Sequence, residues 1–278
     1  MPSTPLIKEA QKELSALLSP HIPRASREAQ LLLMHHLNCD ELTLLMRQNE
    51  PLERSDAVFA MAQRRAKNEP LEYITNKVSF YSEEFYIAEG ALIPRPETEL
   101  LIDEVRKHYP DTHAKLTFAE VGVGSGIISI MLAKFYPHAK IIAVDISEAA
   151  LRIARVNIER FGLQDRIELR LGSLLEPVSE TIDYLVSNPP YIANDAPLES
   201  NLSYEPQNAL FGGEVGDELI QELLSEVLKR KINLFSCEMG YDQKDKITNF
   251  LRDANVEYLQ FYKDLSDFDR GFTLRIQN

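Results

Sequence analysis

Asn188-Pro189-Pro190-Tyr191 is the stretch of this sequence with the most chemistry per residue, and it follows an apolar run, Ile182 to Val186, that reads as a strand. Asn188 offers an amide with two donors and two acceptor lone pairs. Pro189 and Pro190 restrict the backbone and carry no N–H, so their carbonyls stay free as acceptors. Tyr191 adds a flat face and a hydroxyl. This array suits a planar –NH2 group, whose lone pair is delocalised and poorly nucleophilic. Hydrogen bonds from its N–H groups to the Asn188 side-chain oxygen and the Pro189 carbonyl would favour rehybridisation and aim the lone pair at an electrophile. Orientation of this kind supplies up to about 7–11 kcal/mol in ideal intramolecular cases, and fixed acceptors stabilise positive charge growing on nitrogen. No strong general base is required. The plain alternative is an ordinary turn after a strand.

A second constellation lies upstream. Phe118-Ala119-Glu120-Val121-Gly122-Val123-Gly124-Ser125-Gly126-Ile127 ends one predicted strand and opens a helix. Glycines there let the backbone approach a ligand, and the helix N-terminus beyond offers free N–H groups. A dinucleotide loop would place its third glycine one residue later, and no Walker lysine follows. With Glu120 ahead of it, the turn suits a ligand carrying an ammonium and a sulfonium better than a pyrophosphate. The next predicted strand ends at Asp145, followed by Ile146. A carboxylate there can accept from both hydroxyls of a ribose; the plain alternative is a helix cap ahead of Ser147. At the third strand end, Ser173 and Leu174 are placed to flank an adenine.

The elements that must hold these residues alternate. Strands are expected over 116–121, 140–145, 166–171, 182–187, 232–237, 256–262 and 271–276, with helices near 126–136, 147–161, 215–228 and 242–252. That alternation implies a largely parallel sheet covered on both faces, its last two strands pairing antiparallel at an edge. Val78–Tyr81 and Phe85–Ile87, flanking Ser82-Glu83-Glu84, read as a hairpin, and Pro94-Arg95-Pro96-Glu97 leads into a helix running to about His108. Residues 1–75 contain no glycine and read as a small helical bundle. Helices there start at Leu6, after Ser26 and at a Ser55 cap, with a short apolar element at Leu42 to Met46 and a stop at Pro70. That bundle is either a stabilising cap or a docking module.

Composition narrows the chemistry further. The chain has 278 residues, a length that points to two domains, with one large domain as the alternative, and its 44% hydrophobic and 26% charged residues are typical of a globular protein. No apolar run spans a membrane and no signal peptide opens the chain, so the expected location is the cytoplasm. Cys39 and Cys237 read as reduced thiols, and the six histidines lie outside both constellations, which disfavours a metal site or a His-based hydrolase. Net charge is −13; the first 75 residues hold 9 Lys and Arg against 10 Asp and Glu, leaving −12 for the remainder. Such a surface repels a phosphate backbone.

With these residues in hand, the sequence resembles the bacterial release-factor glutamine methyltransferases along essentially its whole length. The resemblance rests on Ile93–Glu99, the glycine loop, Val144–Ser147, Ser187–Ile192, Tyr204–Gly213, Glu238–Gln243, Lys263–Leu265 and Asp269–Gly271. Asn-Pro-Pro-Tyr alone is shared with adenine and cytosine amino methyltransferases of nucleic acids; the Pro94–Glu99 and Glu205–Gly213 blocks narrow the match.

The resemblance implies a class I S-adenosylmethionine-dependent methyltransferase, α/β and Rossmann-like with a seven-stranded, mostly parallel sheet. It implies a helical N-terminal domain over 1–75, a hairpin linker over 76–95 and the methyltransferase domain over 96–278. It implies cofactor contacts from residues 122–126, Asp145 and Asn188, to which the reading of the strand ends adds Glu120, Ile146, Ser173 and Leu174. Asn188, Pro189, Pro190 and Tyr191 would hold the glutamine amide. Arg95 would contact the backbone of the release factor or the Glu97/Glu99 cluster, against the plainer reading of a surface salt bridge. Glu205-Pro206 would shape a lid, with Gly212, Gly213 and Gly216 as flexible or turning points.

Three positions depart from the family pattern. Glu120 stands for the usual Asp, Ser82 for a glycine in the hairpin turn, and Ser173 for a frequent Asp, which weakens the adenine assignment. Two rival readings remain: an amino methyltransferase of DNA or RNA, and a cofactor-binding regulator without catalysis.

Overall fold

The computed structural model describes residues 4–198 and 202–277. The chain forms two compact units, one reaching Lys77 and taking in the segment that ends at Tyr204, the other made of Val78–Leu198 and Glu205–Asn278.

The first unit is helical: α1 (Ile7–Leu18), α2 (Ala25–Leu37), α3 (Glu41–Met46), α4 (Ser55–Arg65) and α5 (Leu71–Thr75). Ile7, Ala10, Leu14 and Leu18 recur on one face of α1 and are fully buried with Leu32, Leu33, Leu44, Val58 and Ala62, as helical periodicity requires. Details of the expected helix starts differ. Ser26 lies inside α2, and Ser55 is the first residue of α4, preceded by Arg54 in a left-handed conformation rather than acting as a cap. The working cap is Asp40, which accepts from Thr43 N at 2.8 Å and opens α3. α4 ends before Pro70, which opens α5. Of the apolar residues in α3 only Leu44 is buried; Leu42, Leu45 and Met46 face solvent.

In the second unit a hairpin of β1 (Lys77–Phe80) and β2 (Glu83–Tyr86) turns through Tyr81 and Ser82 alone, so Glu83 and Glu84 belong to the strand. Both turn residues have positive φ, 52° and 61°, the geometry that matches strand twist in two-residue hairpins. Phe80 and Phe85 are buried in the main apolar cluster.

The rest alternates: α6 (Thr98–His108), β3 (Thr117–Val121), α7 (Ile127–Phe135), β4 (Lys140–Asp145), α8 (Glu148–Arg160), β5 (Ile167–Leu171), β6 (Tyr184–Ser187), β7 (Ile192–Ala193), β8 (Phe211–Gly213), α9 (Glu218–Arg230), β9 (Leu234–Glu238), α10 (Lys244–Phe250), β10 (Val256–Lys263) and β11 (Asp269–Ile276). Seven strands form one sheet in the order β10-β11-β9-β6-β3-β4-β5. β9, β6, β3, β4 and β5 run parallel, while β11 is antiparallel to β9, and β10 to β11, at one edge.

Side chains alternate along each strand, and two cores result. Phe118, Ile141, Tyr184 and Val186 pack with α6, α7 and α8 on one face, and Ala119, Ile142, Leu185 and Phe235 with α9 and α10 on the other. Strand register brings the polar residues together. Val121 is opposite both Val144 and Ser187, and Ser187 is opposite Cys237. The strands therefore end level, and Gly122, Asp145, Asn188 and Glu238 lie at adjacent positions along one sheet edge.

Candidate functional site

Strand order reverses at β3, whose parallel neighbours β4 and β6 continue to either side. Open α/β sheets bind ligands beyond the strand ends at such a point, and here a cavity of about 330 Å³ lies within the second unit. One wall is the glycine loop. Gly122 N and Val123 N donate to Val144 O at 2.9 and 3.1 Å, and Gly126 N closes the turn onto Val123 O at 2.8 Å. Gly122, Gly124 and Gly126 all have positive φ, a conformation costly for any residue with a Cβ. Gly122 to Ser125 line the cavity. Gly126 does not; it packs close to Ala154, which a Cβ would approach to 3.3 Å.

Asp145 lines the same cavity and is tied to the loop. Its Oδ2 accepts from Gly124 N and its Oδ1 from Ser147 N, both at 2.9 Å. The helix cap is Ser147, which accepts from Ala150 N at 3.2 Å. Asp145 is thereby left to brace the glycine loop at the cavity edge. Ile146, Ser173 and Leu174 also line the wall.

Glu120 is completely buried at the cavity floor. Ser129 Oγ donates to its Oε2. Its Oε1 is buried with no partner among the described residues. Burial, with the Asp145 charge adding to it, pushes this carboxyl up to about 8. An orphaned buried oxygen of this kind calls for a donor from a ligand. A cationic ammonium fits that need.

Beside the glycine loop lies the Asn188-Pro189-Pro190 turn, all three residues lining the cavity. Asn188 Nδ2 donates to Thr98 Oγ1 at 3.1 Å, and Thr98 Oγ1 donates to Glu238 Oε2 at 2.8 Å. Tyr191 does not line the cavity. Its hydroxyl donates to Glu238 Oε1 at 3.3 Å, and burial drives its pKa well upward. Tyr191 O accepts from Gln243 Nε2 at 3.0 Å, so this residue secures the turn from behind.

Arg95 and Glu205, expected to meet the substrate, pair with each other and do not line the cavity. Glu205 is buried, and its Oε2 also accepts from Ile93 N at 2.9 Å. The pair holds the Ile93–Arg95 strap against the Glu205-Pro206 segment, and the Glu97/Glu99 cluster is not Arg95's partner. Glu99 accepts from Tyr81 N at 2.6 Å instead. Pro206 does line the cavity. Gly212 and Gly216 are close-packing sites rather than hinges: a Cβ on Gly212 would lie 2.4 Å from Pro190 O, and one on Gly216 would lie 2.6 Å from Tyr191 O. Their smallness lets β8 pair with β7 and press on the Asn-Pro-Pro turn.

Sequence reasoning missed Thr98 and Glu238. Thr98 sits inside the Pro94–Glu99 block and Glu238 opens the Glu238–Gln243 block, but neither spacing signals that two distant segments meet at Asn188.

Two family models match this chain, the methyltransferase small domain over residues 96–204 and the PrmC N-terminal domain over residues 9–75. The release factor glutamine methyltransferase of Koribacter versatilis is 38% identical over 256 residues, 88% of each chain. The chain belongs to the release factor glutamine methyltransferase family. Another member, from Buchnera aphidicola subsp. Schizaphis graminum, is 33% identical over 95% of each chain. Among solved structures, the hMettl16 catalytic domain in complex with a MAT2A 3′UTR hairpin has a TM-score of 0.60 at 16% identity, covering 80% of this chain and 83% of that one. A methyltransferase from Pyrococcus furiosus has a TM-score of 0.53 at 19% identity, covering 70% and 89%. At these identities the likeness is one of fold. The family fold is the class I methyltransferase sheet described above.

Proposed function

We propose that this protein transfers a methyl group from S-adenosylmethionine to the side-chain amide nitrogen of the glutamine in the Gly-Gly-Gln motif of peptide-chain release factors. The observation that carries this reading is that one cavity is lined both by the glycine loop with Asp145 and Glu120 and by Asn188-Pro189-Pro190.

S-adenosylmethionine supplies an electrophilic methyl on a sulfonium. Glu120 would take its ammonium, Asp145 its ribose hydroxyls, and Ile146, Ser173 and Leu174 its adenine end. Asn188 Oδ1 and the Pro189 carbonyl accept the two amide hydrogens and turn the nitrogen lone pair toward the glycine loop. The same acceptors stabilise the positive charge that grows on nitrogen. Apolar walls at Pro190, Phe211 and Leu223 limit water at the reacting nitrogen. Arg95 with Glu205 holds the strap from which Leu92 and Pro94 line the cavity. In this reading the product is a modified termination factor made in the cytoplasm.

Amino methylation of a nucleic-acid base would use the same clamp. The net charge of −13 disfavours a phosphate-rich substrate. No helix among the described residues is long and apolar enough to cross a membrane.

The test is Asn188→Ala. It is expected to abolish transfer to a release factor while cofactor affinity, read by calorimetry, changes by no more than about fivefold, since the glycine loop and Asp145 are untouched. Full activity in this variant would sink the amide clamp. Mass spectrometry should find the Gly-Gly-Gln peptide one methyl group lighter in cells lacking the protein.

A further inference from the structure

We propose that Glu238, which does not line the cavity, decides which end of the Asn188 amide faces the substrate, acting through the Thr98 hydroxyl. The inference rests on the amide-methylation reading and deepens it.

A carboxamide can turn over by 180° with almost no change of shape, exchanging oxygen for NH2. Among the described residues, the hydrogen bond of the Asn188 side chain goes to Thr98 and not to the Asn188-Pro189-Pro190 turn itself. The preference comes from matching donors to acceptors along a buried chain. Glu238 is 2% exposed and Thr98 is 1% exposed, so both must find partners inside the protein. The Thr98 hydroxyl carries one proton and donates it to Glu238 Oε2 at 2.8 Å. What remains on Thr98 Oγ1 is a lone pair, so the neighbouring Asn188 must present its NH2, at 3.1 Å. That leaves Oδ1 for whatever enters the cavity. Tyr191 donates to the other carboxylate oxygen, Glu238 Oε1, at 3.3 Å. While Glu238 is ionised, both its oxygens act as acceptors, and the polarity of the chain is fixed from its buried end.

The consequence is substrate selection. An Asn188 oxygen facing the cavity accepts an N–H and so admits a carboxamide. A turned Asn188 would offer N–H groups, which suit a carboxylate or ester oxygen and leave one of the two amide hydrogens of glutamine without its acceptor, the Pro189 carbonyl taking only the other. The geometry exists because β6 and β9 end in register, Ser187 opposite Cys237, and because Thr98 is the first residue of α6. Glu238 is a positioning residue in this scheme. It touches neither cofactor nor substrate.

Three variants test it. Thr98→Val keeps the shape of the side chain and removes the hydroxyl; kcat for release-factor methylation should fall about 10- to 100-fold, with cofactor affinity changed by less than about threefold. Thr98→Ser restores the hydroxyl and should recover most of that loss. Glu238→Gln can present either an oxygen or an NH2 to Thr98, and should fall between them. The readout that simple loosening would not move is the Asn188 side-chain amide in a 15N NMR spectrum. The proton it donates to Thr98 should be protected from exchange in the wild type and in Thr98→Ser, and exposed in Thr98→Val. Unchanged kcat and unchanged amide protection in Thr98→Val would overturn the proposal. So would a Thr98→Ser protein that melts like the wild type but stays as slow as Thr98→Val. If the wild type transfers no methyl to a release factor, the functional reading fails, and the amide signal alone still judges the relay.

Discussion

At the residue scale the decisive group is Glu120. Its folded pKa, about 8, lies above the ordinary value of 4.5. The folded protein therefore holds a proton that the unfolded chain releases between those values. The stability linked to this proton is fully present below pH 4.5 and is lost as pH rises through about 8. Melting temperature of the ligand-free protein should fall across that window, and Glu120→Gln should flatten the fall. A pH series of thermal melts on both proteins measures it; parallel curves would refute the assignment. Glu238, pushed by burial to about 7, acts in the same direction. Binding adds a second consequence. A cationic ligand ammonium against Glu120 favours the carboxylate, so cofactor binding near neutral pH should release up to about one proton. Calorimetry in buffers of different ionisation heat counts that proton, and the count should drop in Glu120→Gln.

At the scale of elements, one buried side chain ties the hairpin to the sheet edge that carries the site. Asn157 on α8 is fully buried. Its Nδ2 donates to Tyr86 O and to Ser125 O, both at 2.8 Å, and its Oδ1 accepts from Tyr86 N at 2.7 Å. One side chain thus joins the hairpin to the glycine loop. Asn157→Ala would leave buried backbone groups unsatisfied and should cost about 2–4 kcal/mol, visible as a lower denaturation midpoint. The hairpin turn gives the opposite expectation. Ser82 holds a φ of 61° where glycine carries no steric penalty. Ser82→Gly should raise stability by up to about 1 kcal/mol. A measured loss there would mean that the Ser82 side chain makes a contact outweighing the backbone strain.

At the scale of the whole molecule, charge and surface bear on the partner. The chain carries 43 acidic against 30 basic side chains. Labelled cofactor offered release factor, ribosomal RNA and DNA side by side should mark the protein alone. Transfer to either nucleic acid would replace the glutamine reading with the amino-base reading, because the clamp serves both.

Much of this was legible without coordinates. Seven strands and the main helices showed in their periodicity, because a strand buried on both faces must be apolar throughout and an amphipathic helix must repeat every three or four residues. The glycine loop, Asp145 and Asn188-Pro189-Pro190 were legible because each is local, a few adjacent residues whose backbone needs leave few alternatives. What the sequence did not settle is pairing between distant segments. Arg95 found Glu205, Tyr191 and Thr98 found Glu238, and Asn157 found the hairpin, across separations of 47 to 140 residues. Ser55 failed as a cap, α2 began ahead of Ser26 rather than after it, and Gly212 and Gly216 proved to be packing sites. Such outcomes depend on strand register and on which backbones approach within van der Waals distance. Those are set only when the sheet assembles, since a polar side chain alone in a sequence states that it needs a partner and not which partner it will meet.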